Sequence, residues 1–178
     1  MADRAAETMR DRGRFWSAVP DWTSAQIERD GWSVRRIHGL GQTLVSGDVQ
    51  MALDRLVPGG AQVGLWGLTD TDRMVIRIAR DRGLLVTPET LEIEPGWSVA
   101  GFVATPCDDA YAIFEISGDA MHQVVCEATA TDVELGSPSA ALLFAGVPAM
   151  LYRTAPRAAR LHIESPLAAY IWTWLQGA

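Results

Sequence analysis

A chain of 178 residues, 48% of them hydrophobic, is long enough to form one domain that buries about 70% of its unfolded surface without covalent staples. Its formal net charge of -7, with arginine and no lysine, excludes an electrostatic footprint for nucleic acid or an anionic membrane, and it removes Schiff-base and P-loop lysine chemistry. Cys107 and Cys126 stand far apart, which excludes zinc ribbons, CxxC redox motifs and a disulfide framework.

The opening "MADRAAETMRDRGRFW" mixes acids with arginines and has no apolar signal segment. Apolar runs such as "SAALLFAGVPAML" are broken by Gly and Pro short of the ~20 residues a membrane helix needs. A cytoplasmic location is expected. Residues 1–14 read as a loose tail, and 15–178 as a single α+β domain. Trp16, Trp22 and Trp32 fall in a segment with no sustained period. Each can bury ~150–250 Å², so the segment from Phe15 is expected to lie across the body of the protein or across a partner.

"GWSVRRIHGLGQTLVSG" reads as extended structure broken at Gly39 and Gly41. Ser46 then caps a helix carrying Val49, Ala52, Leu53 and Leu56 on one face, and Pro58-Gly59-Gly60 ends it. "AQVGLWGL" and "DRMVIRIARDRGLLVTP" follow as strands. The second half repeats the order. "YAIFEIS" reads as a central strand, Ser117 as the cap of a helix with Met121, Val124, Val125 and Ala128 on one face, and "SAALLFAGVPAMLYRT" as two strands turning at Ala145-Gly146-Val147-Pro148. "RAARLHIES" makes a third strand, after which Ser165 caps and Pro166 opens a closing helix, "PLAAYIWTWL".

Both halves place a strand, Ser-Gly-Asp and a helix ahead of further strands. The fold class that follows is α+β, built from two related strand-helix-strands half-units with ferredoxin-like elements, about 40–104 and 105–178, in one compact domain. The triplet has a local rationale: an oxygen for the helix start, a residue free to turn, and an acid at the positive end of the helix dipole.

Candidates for chemistry are few. Gly39 and Gly41 lack the third glycine of a dinucleotide fingerprint. His38, His122 and His162 are isolated in sequence, without metal-ligand spacing. Cys107 adjoins Asp108 and Asp109, and two carboxylates disfavour a thiolate; the acids themselves read as turn residues or as a grip for a cation. In the last helix Leu167, Ile171, Trp174 and Leu175 form a stripe, with Trp172 roughly 120° from its centre by the 3.6-residue period. Either the N-terminal arm covers Trp172 or that face meets a partner, where tryptophan is a favoured anchor. The expected interface residues are Trp172, Tyr170, Trp16 and Trp22.

From Gly83 to Leu175 the stretches "GLLVTPE", "GFVATPCDDAYAIFEISGDAM", "LLFAGVPAMLYRT" and "PLAAYIWTWL" together resemble the gamma subunit family of heterotetrameric sarcosine oxidase, within the folate-binding aminomethyltransferase (glycine cleavage T-protein-like) superfamily. The resemblance implies an aminomethyltransferase-like α+β fold and a structural, non-catalytic role beside a large alpha and a flavin-bearing beta subunit. It places the flavins, NAD and tetrahydrofolate of sarcosine oxidation in those partners, with no cofactor in this chain. Relatives carry an acid followed by Ser ahead of the strand; Thr105 and Cys107 fill those places here, so no catalytic residue is carried over. The alternative is a folate-binding one-carbon enzyme acting alone, which needs a pocket carboxylate, Glu115 and Asp109 being the nearest acids.

Overall fold

The computed structural model describes residues 19–178. The expected loose tail at 1–14 and the interface candidate Trp16 lie outside them. In chain order the first elements are β1 (Gln26–Arg29), β2 (Trp32–Ile37), β3 (Gly41–Gly47), α1 (Val49–Leu56), β4 (Ala61–Val63), β5 (Met74–Ala79) and β6 (Arg82–Thr87). They are followed by β7 (Gly96–Ser98), β8 (Phe102–Pro106), β9 (Tyr111–Ser117), α2 (Met121–Ala128), β10 (Ala141–Phe144), β11 (Val147–Ala155), β12 (Ala158–Glu164) and α3 (Ala168–Gly177).

Apolar alternation on these strands builds two six-stranded sheets. The first has the order β1-β2-β9-β12-β11-β10 and is antiparallel throughout; the second is β4-β5-β6-β3-β8-β7, antiparallel except for the parallel pair β4 and β5. Alternate residues of each strand face opposite ways. Phe114, Ile116, Leu161 and Ile163 of the first sheet pack under α2 and α3, while Val45, Val75, Leu85 and Phe102 of the second pack under α1. The opposite faces meet each other through Met74, Ile76, Leu84 and Val86 on one side and Met150 and Tyr152 on the other. The result is four layers, helix, sheet, sheet and helices, with each fully buried Leu, Ile or Phe contributing about 1.5–3 kcal/mol.

The strand orders of the two sheets correspond. β3 leads into α1 and then β4, β5 and β6, with β6 returning beside β3; β9 leads into α2 and then β10, β11 and β12, with β12 returning beside β9. The two remaining hairpins are exchanged. β1 and β2 precede β3 in the chain yet pair with β9, and β7 and β8 precede β9 yet pair with β3. The expected division between 104 and 105 therefore falls inside β8 and leaves β1 and β2 outside both halves.

This exchange explains the glycine of Ser-Gly-Asp. Gly47 (φ 104°) and Gly118 (φ 121°) each press against the turn of the exchanged hairpin, where a Cβ would lie 3.1 Å from the Phe102 Cα and 2.7 Å from the Trp32 Cα respectively. The Asp48 N–H donates to the Gly101 carbonyl at 3.0 Å, and the Ala120 N–H donates to the Gly31 carbonyl at 2.9 Å. The expected serine caps are corrected. Ser46 stays in β3, and Asp48 caps α1 by accepting from the Met51 N–H at 2.9 Å. Ser117 ends β9 with its hydroxyl 3.1 Å from that of Ser33, and α2 has no side-chain cap. Ser165 donates instead to the Asp109 carbonyl at 2.6 Å, and Pro166 sits in a single 3-10 turn ahead of α3.

Candidate functional site

The interface residues expected from the sequence separate into inner and outer ones. Trp172 is only 3% exposed, because the side of α3 away from the predicted stripe also lies against the sheet. Its ring centroid is 5.7 Å from that of Phe114 and 5.6 Å, edge-on, from that of Trp22. Trp22, half-buried ahead of β1, is thus the cover that Trp172 requires. Trp172 as a surface anchor is corrected: its indole is spent on the chain's own core. Tyr170 is 44% exposed, and its hydroxyl donates to the Ala145 carbonyl at 2.9 Å, tying α3 to the β10-β11 turn.

Arg36 lies over the outer face of Trp22, 5.0 Å from the ring centroid, and the His38 Nε2 is 3.1 Å from the Trp22 carbonyl oxygen. Burial lowers the Arg36 pKa, against the opposing pull of Asp109. Its Nε is buried without a hydrogen-bond partner among the described residues. Arg36 and His38, with Gln42, Asp108, Asp109 and Tyr111, line a hollow of about 220 Å³.

A buried polar array joins the two sheets. The Gln42 Nε2 of β3 donates to the carbonyls of Asp108 (2.9 Å) and Tyr111 (3.0 Å), so its Oε1 is the acceptor for the Nδ1–H of His162 at 3.1 Å. That tautomer leaves the His162 Nε2 to accept from the Tyr152 hydroxyl at 3.2 Å. Burial pushes the His162 pKa down to about 3, with Arg160 adding to the effect, so the ring is neutral. Burial raises the Tyr152 pKa. Arg160 bonds Asp72 and, at 3.3 Å, Glu115; burial is the largest single influence and works against its charge, but Asp72 and Tyr152 together outweigh it and the pKa is raised. Arg35 completes the chain to Glu115 at 2.6 Å. A ring with no exposed surface and both nitrogens engaged welds the sheets and has no free site for proton transfer.

The other candidates are dispersed. Burial raises the Cys107 pKa, and Asp108 adds to it, so the thiol is disfavoured as a nucleophile chiefly by burial and only secondarily by Asp108. The exposed Cys126 has its Sγ 3.4 Å from the His122 Nε2, and its pKa is raised by burial and by Glu134. Among the described residues no three His, Cys, Asp or Glu side chains are arranged to hold a metal ion. Of the two acids considered as the carboxylate for a pterin, Asp109 lines the 220 Å³ hollow, whereas Glu115 is held by Arg35 and Arg160 on the sheet. The hollow is smaller than the ~300–1,000 Å³ usual for ligand pockets.

Sequence reading passed over Trp97 and Val99, which are 70% and 97% exposed on the β7-β8 hairpin. The available signal was an aromatic between Gly96 and Gly101 with no helical or strand period to bury it.

Four layers with exchanged hairpins define an α+β protein of a recognisable kind. Among the solved structures that match is a chain of the heterotetrameric sarcosine oxidase from Corynebacterium sp. U-96, in complex with pyrrole 2-carboxylate. The likeness has a TM-score of 0.64 at 18% identity and covers 82% of this chain and 82% of that one. At that identity it is a likeness of fold. No protein-family model matches the chain, and no curated protein matches it. No helix among the described residues is long and apolar enough to cross a membrane.

Proposed function

We propose that this chain is the small, gamma-type subunit of a complex of the heterotetrameric sarcosine oxidase kind, which oxidatively demethylates sarcosine to glycine. The observation that carries the reading is the fold likeness, whose equal coverage of both chains indicates two proteins of comparable length. It agrees with the order of motifs from Gly83 to Leu175. In this reading the alpha and beta subunits bind flavins, NAD and tetrahydrofolate, and the gamma chain supplies surface. The matching strand orders of the two sheets support descent of its fold from a duplicated half-unit that exchanged its leading hairpins. Co-expression with the alpha and beta subunits of the same source tests the function. One copy of this chain is expected to co-elute with them on size exclusion with light scattering; elution of the chain by itself at every salt concentration overturns the proposal.

A further inference from the structure

The β1-β2 and β7-β8 hairpins extend past the zone where the sheets meet, since the inter-sheet cluster takes no residue from either. Among the described residues each hairpin therefore keeps one face that no other layer covers. On β1 and β2 that face carries Gln26 and Glu28 opposite Arg35 and Ser33, with Arg35 paired to Glu115. It is dressed for water. On β7 and β8 the corresponding face carries Trp97 opposite Val103, and the turn adds Val99. Trp97 and Val99 are among the most exposed large apolar residues described. Contiguous exposed apolar groups of this sort mark interaction sites, and tryptophan is the preferred anchor.

β7 is also the last strand of its sheet, so among the described residues one edge of its backbone pairs with no other strand. The segment leading into it exposes Glu92 and Glu94, while the alternating Leu91 and Ile93 turn toward the core under α1. Neither carboxylate is in an ion pair among the described residues. A second copy of the chain would bring the same carboxylates against them. The charge thus selects a different, basic occupant.

We infer that the β7-β8 hairpin is the docking surface for an extended segment of a partner subunit, which adds to the free edge of β7, places an apolar side chain over Trp97 and sets arginine or lysine against Glu92 and Glu94. This rests on the proposed function and specifies where the assembly closes.

The test compares wild type, Trp97→Ser, Glu92→Gln/Glu94→Gln and a control, Leu135→Ser, which alters another exposed apolar residue (82%) away from the hairpin. Each is titrated against the co-purified alpha and beta subunits. Trp97→Ser is expected to weaken binding at least tenfold without changing the melting temperature of the free chain, the double glutamate variant to flatten the salt dependence, and Leu135→Ser to bind as wild type does. Equal binding by wild type and Trp97→Ser overturns the inference while leaving the proposed function intact; no binding by wild type overturns both. Concentration-dependent self-association abolished by Trp97→Ser would assign the face to a second copy, and shielding of Trp97 from a soluble quencher that deletion of residues 1–18 relieves would assign it to the chain's own N-terminus. Either result contradicts the inference.

Discussion

The two exchanged hairpins are built and fastened alike but finished differently. Each is pinned by a glycine at positive φ that meets the hairpin turn, and by an N–H donated to the turn's glycine carbonyl. On the helix-facing side, β1 and β2 bury Ile27, Trp32 and Val34, while β8 buries Phe102 and Ala104. The difference lies on the face no layer covers, where one hairpin presents Gln26, Glu28 and Arg35 and the other Trp97 and Val103. Equivalent position in the fold does not explain an exposed indole, because the equivalent position tolerates charge. A feature that folding does not require is best explained by binding.

If the fastening is common to both hairpins, the largest effects come from breaking it. Gly118→Ala and Gly47→Ala each combine a left-handed backbone with a collision against the turn, and each is expected to destabilise by about 3 kcal/mol in urea unfolding. Gly39→Ala, at φ 81° with nothing within 4 Å of its Cβ, is expected to cost about 1 kcal/mol. Equal small losses at all three positions would deny the hairpins their shared pin.

A smaller effect concerns the body from which both hairpins project. His162 is neutral in the fold, with its pKa depressed to about 3 from the 6.5 of an unhindered ring. The unfolded chain binds the proton that the native state refuses, so stability is complete above about pH 6.5 and falls by roughly 1.4 kcal/mol per pH unit toward pH 3. His162→Gln is expected to flatten that slope in urea midpoints recorded across this range. An unchanged slope would remove the histidine from the seam and loosen the premise that the two hairpins share a rigid frame.

The same contrast shows what could be read from residues alone. The repeated Ser-Gly-Asp and the helices behind it were legible because Val49, Ala52 and Leu53, like Met121, Val124 and Val125, keep a helical spacing. The exchange was not legible. β1, β7 and β8 are strands of 4, 3 and 5 residues interrupted by glycine turns, too short to display a period, and their partners lie far away in sequence. The role of the triplet was misassigned for the same reason, since the carbonyls of Gly31 and Gly101 arrive from the exchanged hairpins. Trp172 was recognised as needing a cover, and the candidate cover was the N-terminal arm; only packing could choose between that arm and a partner, and Trp22 makes the choice. Gln42, His162 and Tyr152 carried no motif, because their meeting depends on strand register across two sheets.

Amide hydrogen exchange on the chain alone and in complex with alpha and beta subunits addresses the difference between the hairpins directly. Amides 96–103 should slow by at least tenfold on assembly while amides 26–35 exchange at unchanged rates. Slowing confined to 26–35, or none at either hairpin within an intact complex, would contradict the assignment of Trp97 to a partner.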